Sequence, residues 1–174
     1  ADQTSGIFEM RPFYWKNKKK IPVYGSNRTA NVLKKNHTFC FIPKHGYKPI
    51  MKLFPIKDNF KIKKNKTIIS IKAFNVSHGL INATGYLFDK VAYLSDCNKI
   101  PNNSMKLLKG LNFLIIDCLR KNKHPSHFNY DEALEMINIL KPKKAILTNL
   151  HTDLDYNYLK KKLPTNIIPA HDGL

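Results

Sequence analysis

The stretch Lys90–Asn98, KVAYLSDCN, decides how the rest of the chain is read. Five residues of strand character, Val91 to Ser95, run into an acid, Asp96, followed by Cys97 and Asn98. Valine and tyrosine favour a pleated strand, and the lack of polar alternation predicts burial on both faces. An acid at the C-terminal end of such a strand stands where open α/β sheets place their chemistry. The same acid could simply cap a turn. The stretch alone does not choose; the histidines elsewhere do.

Working outward, Asp89-Lys90 reads as a tight hairpin between strands Gly85–Asp89 and Val91–Ser95. Before it, Thr67–Ser77 (TIISIKAFNVS) is a β-branched strand that runs into His78-Gly79. After it come a short helix at Ser104–Lys109 and a buried strand at Asn112–Leu119, with Asp117 near its end. The clearest helix is Asn129–Leu140, with Asn129 at the cap, Asp131 and Glu132 in the first turn, and an apolar face of Ala133, Leu134, Ile137 and Leu140. A strand at Lys144–Leu150, a helix at Leu154–Leu163 ended by Pro164, and a strand at Asn166–Ala170 complete an alternation that predicts a layered α/β domain. Asp153 and Asp155 read as caps for that last helix.

The N-terminal half is less regular. Ser5–Phe13 reads as a short helix limited by Pro12, Ile21–Gly25 as a strand, and Asn27–Lys35 as a helix with a weak apolar face of Ala30, Val32 and Leu33. Between His37 and Lys66, prolines and lysine-interleaved aromatics suggest short strands and loops over a cleft. No repeat or linker divides the chain, so 1–174 reads as one domain.

The chain has 174 residues and a net charge of +18. The charge invites a nucleic-acid reading. Almost all of it is lysine spread over surface-like segments, with only Arg11, Arg28 and Arg120 present, so a solvated basic surface that attracts small anionic substrates is favoured. Three widely spaced cysteines without a CxxC pair suit a reducing compartment, with cytoplasm as the default. No apolar run approaches the ~20 residues of a membrane span. The chain begins Ala-Asp-Gln without Met and reads as cut from a longer one.

The candidate polar groups fall just past strand ends: His78, Asp96, His124 with His127, Asn149 with His151, and His171-Asp172, while Asp2 precedes the first helix. Imidazole beside carboxylate at several strand ends is a donor set for a divalent ion, zinc, manganese or iron. Taken singly, each histidine could be structural, and His37 and His45 are read that way.

Taken together, the blocks ADQTSGI, IPVYG, NVSHG, YLSDCN, LIIDCLR, HPSHFNYDEAL, LTNLHTDLDY and PAHDGL resemble the metallo-β-lactamase-fold hydrolases. The likeness is to the branch of the phosphoribosyl cyclic phosphodiesterase, and more distantly to ribonuclease Z. It implies a metallo-β-lactamase-like αββα sandwich, of which this chain would be the C-terminal two-thirds, incomplete at its N-terminus and inactive as given. It implies one or two ions, Zn or Mn. Asp2 would stand at the aspartate of the family's His-x-His-x-Asp-His motif and Gln3 at its last histidine; Asp2 would thus be both ligand and catalytic. His78 would be a ligand of the first ion, Asp96 the bridging carboxylate, and Asn149 would occupy the final ligand position, with His151 two residues on as a substitute. Neutral amides at Gln3 and Asn149 imply a weak second site.

By the same resemblance His127 would protonate the leaving group after attack by metal-activated hydroxide. Around it, Asp117 would orient a histidine as a neighbouring acceptor or tie down a loop, and His124 would support it or shape the turn before Pro125. Arg11 and Arg120 are candidate phosphate contacts. The expected activity is phosphodiester cleavage of a small, cyclic phosphate ester, with a homodimer in keeping with the family. Alternatives are a ribonuclease Z-like RNA processor, a thioesterase-type hydrolase, and a catalytically dead lysine-rich nucleic-acid-binding module.

Overall fold

The computed structural model describes residues 4–43 and 45–174, so Asp2 and Gln3 lie outside the described residues. The chain forms two compact units, Ala1–Lys57 and Asp58–Leu174.

In the first unit, a 3-10 turn at Ser5–Met10 leads into α1 (Arg11–Asn17), followed by β1 (Ile21–Gly25), α2 (Asn27–Asn36), α3 (Thr38–Phe41) and β2 (Met51–Pro55). The helix expected to stop at Pro12 instead begins there. Proline lacks only an N–H that the first helical turn leaves unpaired anyway, and its fixed φ suits that position. Lys18, with a left-handed φ of 52°, ends α1. Ser26 caps α2 by accepting from the Thr29 amide at 3.2 Å. Ala30 and Leu33 are buried as the apolar face requires, while Val32 points to solvent. β1 and β2 pair in parallel, Ile21 opposite Met51, over a small core of Cys40, Ile50 and Met51. The segment that was hardest to read thus holds a one-turn helix and a strand paired far back in sequence.

The second unit is built on a seven-stranded sheet: β3 (Asn59–Lys64), β4 (Thr67–His78), β5 (Ile81–Phe88), β6 (Val91–Leu94), β7 (Phe113–Asp117), β8 (Lys144–Thr148) and β9 (Ile167–Pro169), in that spatial order. The first three pairings are antiparallel and the last three parallel. Between them lie α4 (Asn102–Met105), α5 (Tyr130–Leu140) and α6 (Tyr156–Lys162). Parallel neighbours need crossover segments, and the three connections after β6 supply them.

Ala92 and Leu94 of β6, Leu114 and Ile116 of β7, and Ala145 and Leu147 of β8 are fully buried. The residues between them are half-buried or exposed. Burial of β6 on both faces is therefore corrected: one face carries the core, in contact with Ala133, Ile137 and Leu140 of α5 and Leu159 of α6. Helix α5 starts as its sequence dictates. Asn129 accepts from the Glu132 amide at 2.8 Å while Glu132 accepts from the Asn129 amide at 3.1 Å, a reciprocal cap. Asp155 caps α6; Asp153 instead accepts from the Lys121 amide at 3.0 Å and ties two loops.

β5 begins four residues earlier than expected, because Gly85 lies inside it rather than at its start. A Cβ there would meet Phe74 and Leu94 side-chain carbons at 2.6–2.7 Å. Only glycine lets those two side chains close over the strand.

Candidate metal centre

The parallel half of the sheet ends on one edge, where β6, β7 and β8 release their chains after Leu94, Asp117 and Thr148. β4, separated from β6 by one antiparallel strand, runs in the same direction as β6 and brings its own C-terminal end to the same place. His78 is the last residue of β4, opposite Ile81 across the Gly79-Leu80 turn. Asp96 follows β6, Asp117 closes β7, and Asn149 follows β8 with a left-handed φ of 62°, a conformation asparagine tolerates better than most residues. His127 comes from the long connection after β7. That connection is fastened at its base by Leu119 N–H to Phe128 O and by Phe128 N–H to Cys97 O, both 2.9 Å. Phe128 itself is buried.

One donor atom each from His78, Asp96 and His127 lie within 4.8 Å of one another. The two imidazole Nε2 atoms are 3.1 Å apart, with the rings edge to face. Two imidazole nitrogens bound to one zinc at the usual ~2.0–2.1 Å stand about 3.3 Å apart at a tetrahedral angle. The spacing and the nitrogen-plus-carboxylate donor set therefore fit a borderline-soft divalent ion.

Behind this corner stands Asp117, with no exposed surface. Its Oδ2 accepts from His127 Nδ1 at 2.5 Å and from the Cys97 amide at 3.0 Å. Burial pushes its pKa up to about 6, against the opposing pull of the Cys97 N–H and of His127. The carboxylate fixes the ring and leaves Nε2 as the nitrogen facing His78. Cys97 and Cys118, flanking the acids, are buried, and burial raises both thiols well above their ordinary range; they pack rather than react.

The Asn149 amide lies beside the same acids. Its Nδ2 donates to the Ser95 carbonyl and stands 3.4 Å from both Asp96 Oδ1 and Asp117 Oδ1. At the position where the resemblance calls for a ligand histidine, this chain thus carries a hydrogen-bond donor. His151 is exposed and turned to Asp153 at 3.2 Å, so the structure does not bring it to the corner. The His124 ring centroid is 5.0 Å from that of His127, and its Nδ1 accepts from the Ser126 amide at 3.3 Å. Burial first, then the charges of Arg120, His127 and His78, lower its pKa. The Arg120 guanidinium is spent on its own loop, donating to the Asn122 and Lys123 carbonyls. Arg11 belongs to the first unit, over the Phe39 ring.

A family model described as "Beta-lactamase superfamily domain" matches residues 1–149. The chain belongs to the beta-lactamase superfamily. Two solved structures share its fold, and one curated protein is similar in sequence. A crystal structure of a diphosphatase from the PhnP family is 29% identical, with a TM-score of 0.84 over 98% of this chain and 64% of that one. The metallo-β-lactamase-fold protein YhfI from Bacillus subtilis is 14% identical, with a TM-score of 0.73 over 99% of this chain and 72% of its own. An octanoyltransferase from Porphyromonas gingivalis is 25% identical over 99% of this chain. This superfamily domain spans about a third of that relative, 35% of its length. The expected metallo-β-lactamase-like α/β fold is therefore shown.

The role of Asn98 escaped the sequence reading. Its side chain accepts from the Gly79 amide at 3.1 Å and donates to the Pro125 carbonyl at 3.0 Å. An asparagine two residues after an acid looks like ordinary turn chemistry, and nothing in the sequence says which two segments it joins.

Proposed function

We propose that this domain is a metal-dependent hydrolase that cleaves a small anionic phosphodiester, cyclic in the favoured form. The observation that carries the reading is the convergence of His78, Asp96 and His127 with a buried carboxylate behind one of them. The 29% identity to a PhnP-family diphosphatase supports phosphate chemistry over other superfamily reactions. His78 and Asp96 would hold the ion, which when bound supplies an activated water and charge stabilisation at the phosphoryl oxygens.

His127 is the proton donor in this reading. Asp117 receives the Nδ1 hydrogen and stabilises the protonated ring, so Nε2 carries the proton to be given to the departing alkoxide. A nitrogen that ligates cannot also protonate, so the acid and ligand roles of His127 exclude each other at any one moment. Leaving groups separate them. In the full-length protein with Zn²⁺ or Mn²⁺, His127→Ala should slow hydrolysis of poor-leaving-group diesters by about 10²–10⁴-fold. Loss on bis-p-nitrophenyl phosphate should be far smaller, because nitrophenolate needs no proton. Equal loss on both would remove the acid role and leave His127 as a ligand.

Asn149 supports a single tightly held ion, since its NH₂ group, not a lone pair, faces the two acids. The net charge of +18 supports an RNA phosphodiester as the second reading of the substrate. The buried, unpaired cysteines fit a reducing cytoplasm. Among the described residues no helix is long and apolar enough to cross a membrane. A homodimer completes the proposal; sedimentation of the full-length protein tests it.

A further inference from the structure

The three donors of the candidate metal centre sit on three separate segments: the end of β4 at its turn into β5, the segment after β6, and the connection after β7. Something must hold their spacing, because turns and long connections are the parts of a fold that drift most easily. The segment Cys97–Lys99 touches both of the others. Ser77 N–H donates to Lys99 O and Asn98 N–H to Ser77 O, both at 2.9 Å, which ties it to the end of β4. Phe128 N–H donates to Cys97 O at 2.9 Å, which ties it to the connection carrying His127. These backbone bonds fasten the bases of the segments. The tips are joined by one side chain, Asn98, with its oxygen on the Gly79 amide and its nitrogen on the Pro125 carbonyl.

We propose that Asn98 is a positioning residue that holds His78 beside Asp96 as well as beside His127, and thereby sets the affinity of the site for its ion. The inference rests on the metal reading above. Gly79 directly follows His78, and Pro125 lies two residues before His127. The carboxamide is suited to the task because it accepts on one side and donates on the other. A carboxylate in its place could accept from the Gly79 amide but could not donate to the Pro125 carbonyl. The two tips are also in van der Waals contact. Gly79 has a φ of 62°, and a Cβ placed there would lie 3.1 Å from Ser126 Cβ. The turn therefore closes tightly on the 125–126 segment, where a side chain would fit only if Ser126 gave way, and Asn98 is the strut beneath that contact.

The test is Zn²⁺ affinity, measured on the full-length protein by competition with a chromophoric chelator, alongside thermal unfolding of each metal-free variant. Asn98→Ala should weaken zinc binding by about 10–100-fold, the range seen when groups supporting a metal ligand are removed. Gly79→Ala should weaken it similarly, by straining the left-handed turn against Ser126. Leu80→Ala, at the same tip but fully exposed, should bind like the parent. All variants must stay folded at the assay temperature, so the loss belongs to the site. Parent-like affinity in Asn98→Ala overturns the proposal, as does an equal loss in Leu80→Ala. Should Asn98→Ala fail to fold, Asn98→Leu, of similar size but without either hydrogen bond, decides in the same way. If the parent binds no zinc, the metal reading itself falls and this inference falls with it.

Discussion

Asp117 shows how much one residue can determine in this site. It is fully buried, takes hydrogen bonds from Cys97 and His127, and has a pKa raised by burial from 3.8 to about 6. Between those values the folded chain keeps a proton that the unfolded chain has released. The carboxyl therefore favours folding most below about pH 4, and that contribution is lost as pH rises through 6. A shift of this size corresponds to about 3 kcal/mol. In metal-free protein, the stability of the parent relative to Asp117→Asn should fall by that order between pH 4 and pH 7, as followed by urea unfolding. A difference that stays flat, or a carboxyl resonance titrating near pH 4, would contradict the burial argument. Among the site residues, the histidines and acids were legible because their chemistry names them. Asn98 and the donor role of Asn149 were not, since an amide's partners depend on segments far away in sequence.

At the scale of elements, legibility followed periodicity and turn chemistry. Strands β6 to β9 and helix α5 were visible because apolar spacing and a reciprocal cap agree locally. Where one residue type carries two meanings, the reading failed. Pro12 looked like a stop and is a start; Gly85 looked like a boundary and lies inside β5. Within His37–Lys66, β2 pairs with β1 about 30 residues earlier in the chain, which no local pattern announces. Gly85 makes the point measurable. Alanine there has to displace Phe74 and Leu94, and overpacking of this kind costs about 1–3 kcal/mol. Gly85→Ala should therefore lower the unfolding midpoint of the protein. An unchanged midpoint would mean that the strand is not held as closely as the structure shows.

At the scale of the whole molecule, the sheet brings four strand ends to one edge, and the donors reach it from residues 78, 96 and 127. That convergence follows from topology: three parallel strands in sequence order must end on the same side. The superfamily resemblance was legible from several short blocks together, and the family match over residues 1–149 bears it out. The excess of lysine says how the surface meets anions and nothing about the fold. The account stands or falls on a bound ion at that edge. Metal analysis of the full-length protein after exhaustive dialysis, beside His78→Ala and Asp96→Ala variants that remain folded, tests it most directly. The account predicts one tightly held divalent ion per chain in the parent, lost in both variants. A parent free of metal, or variants that keep the ion as tightly as the parent, would contradict it.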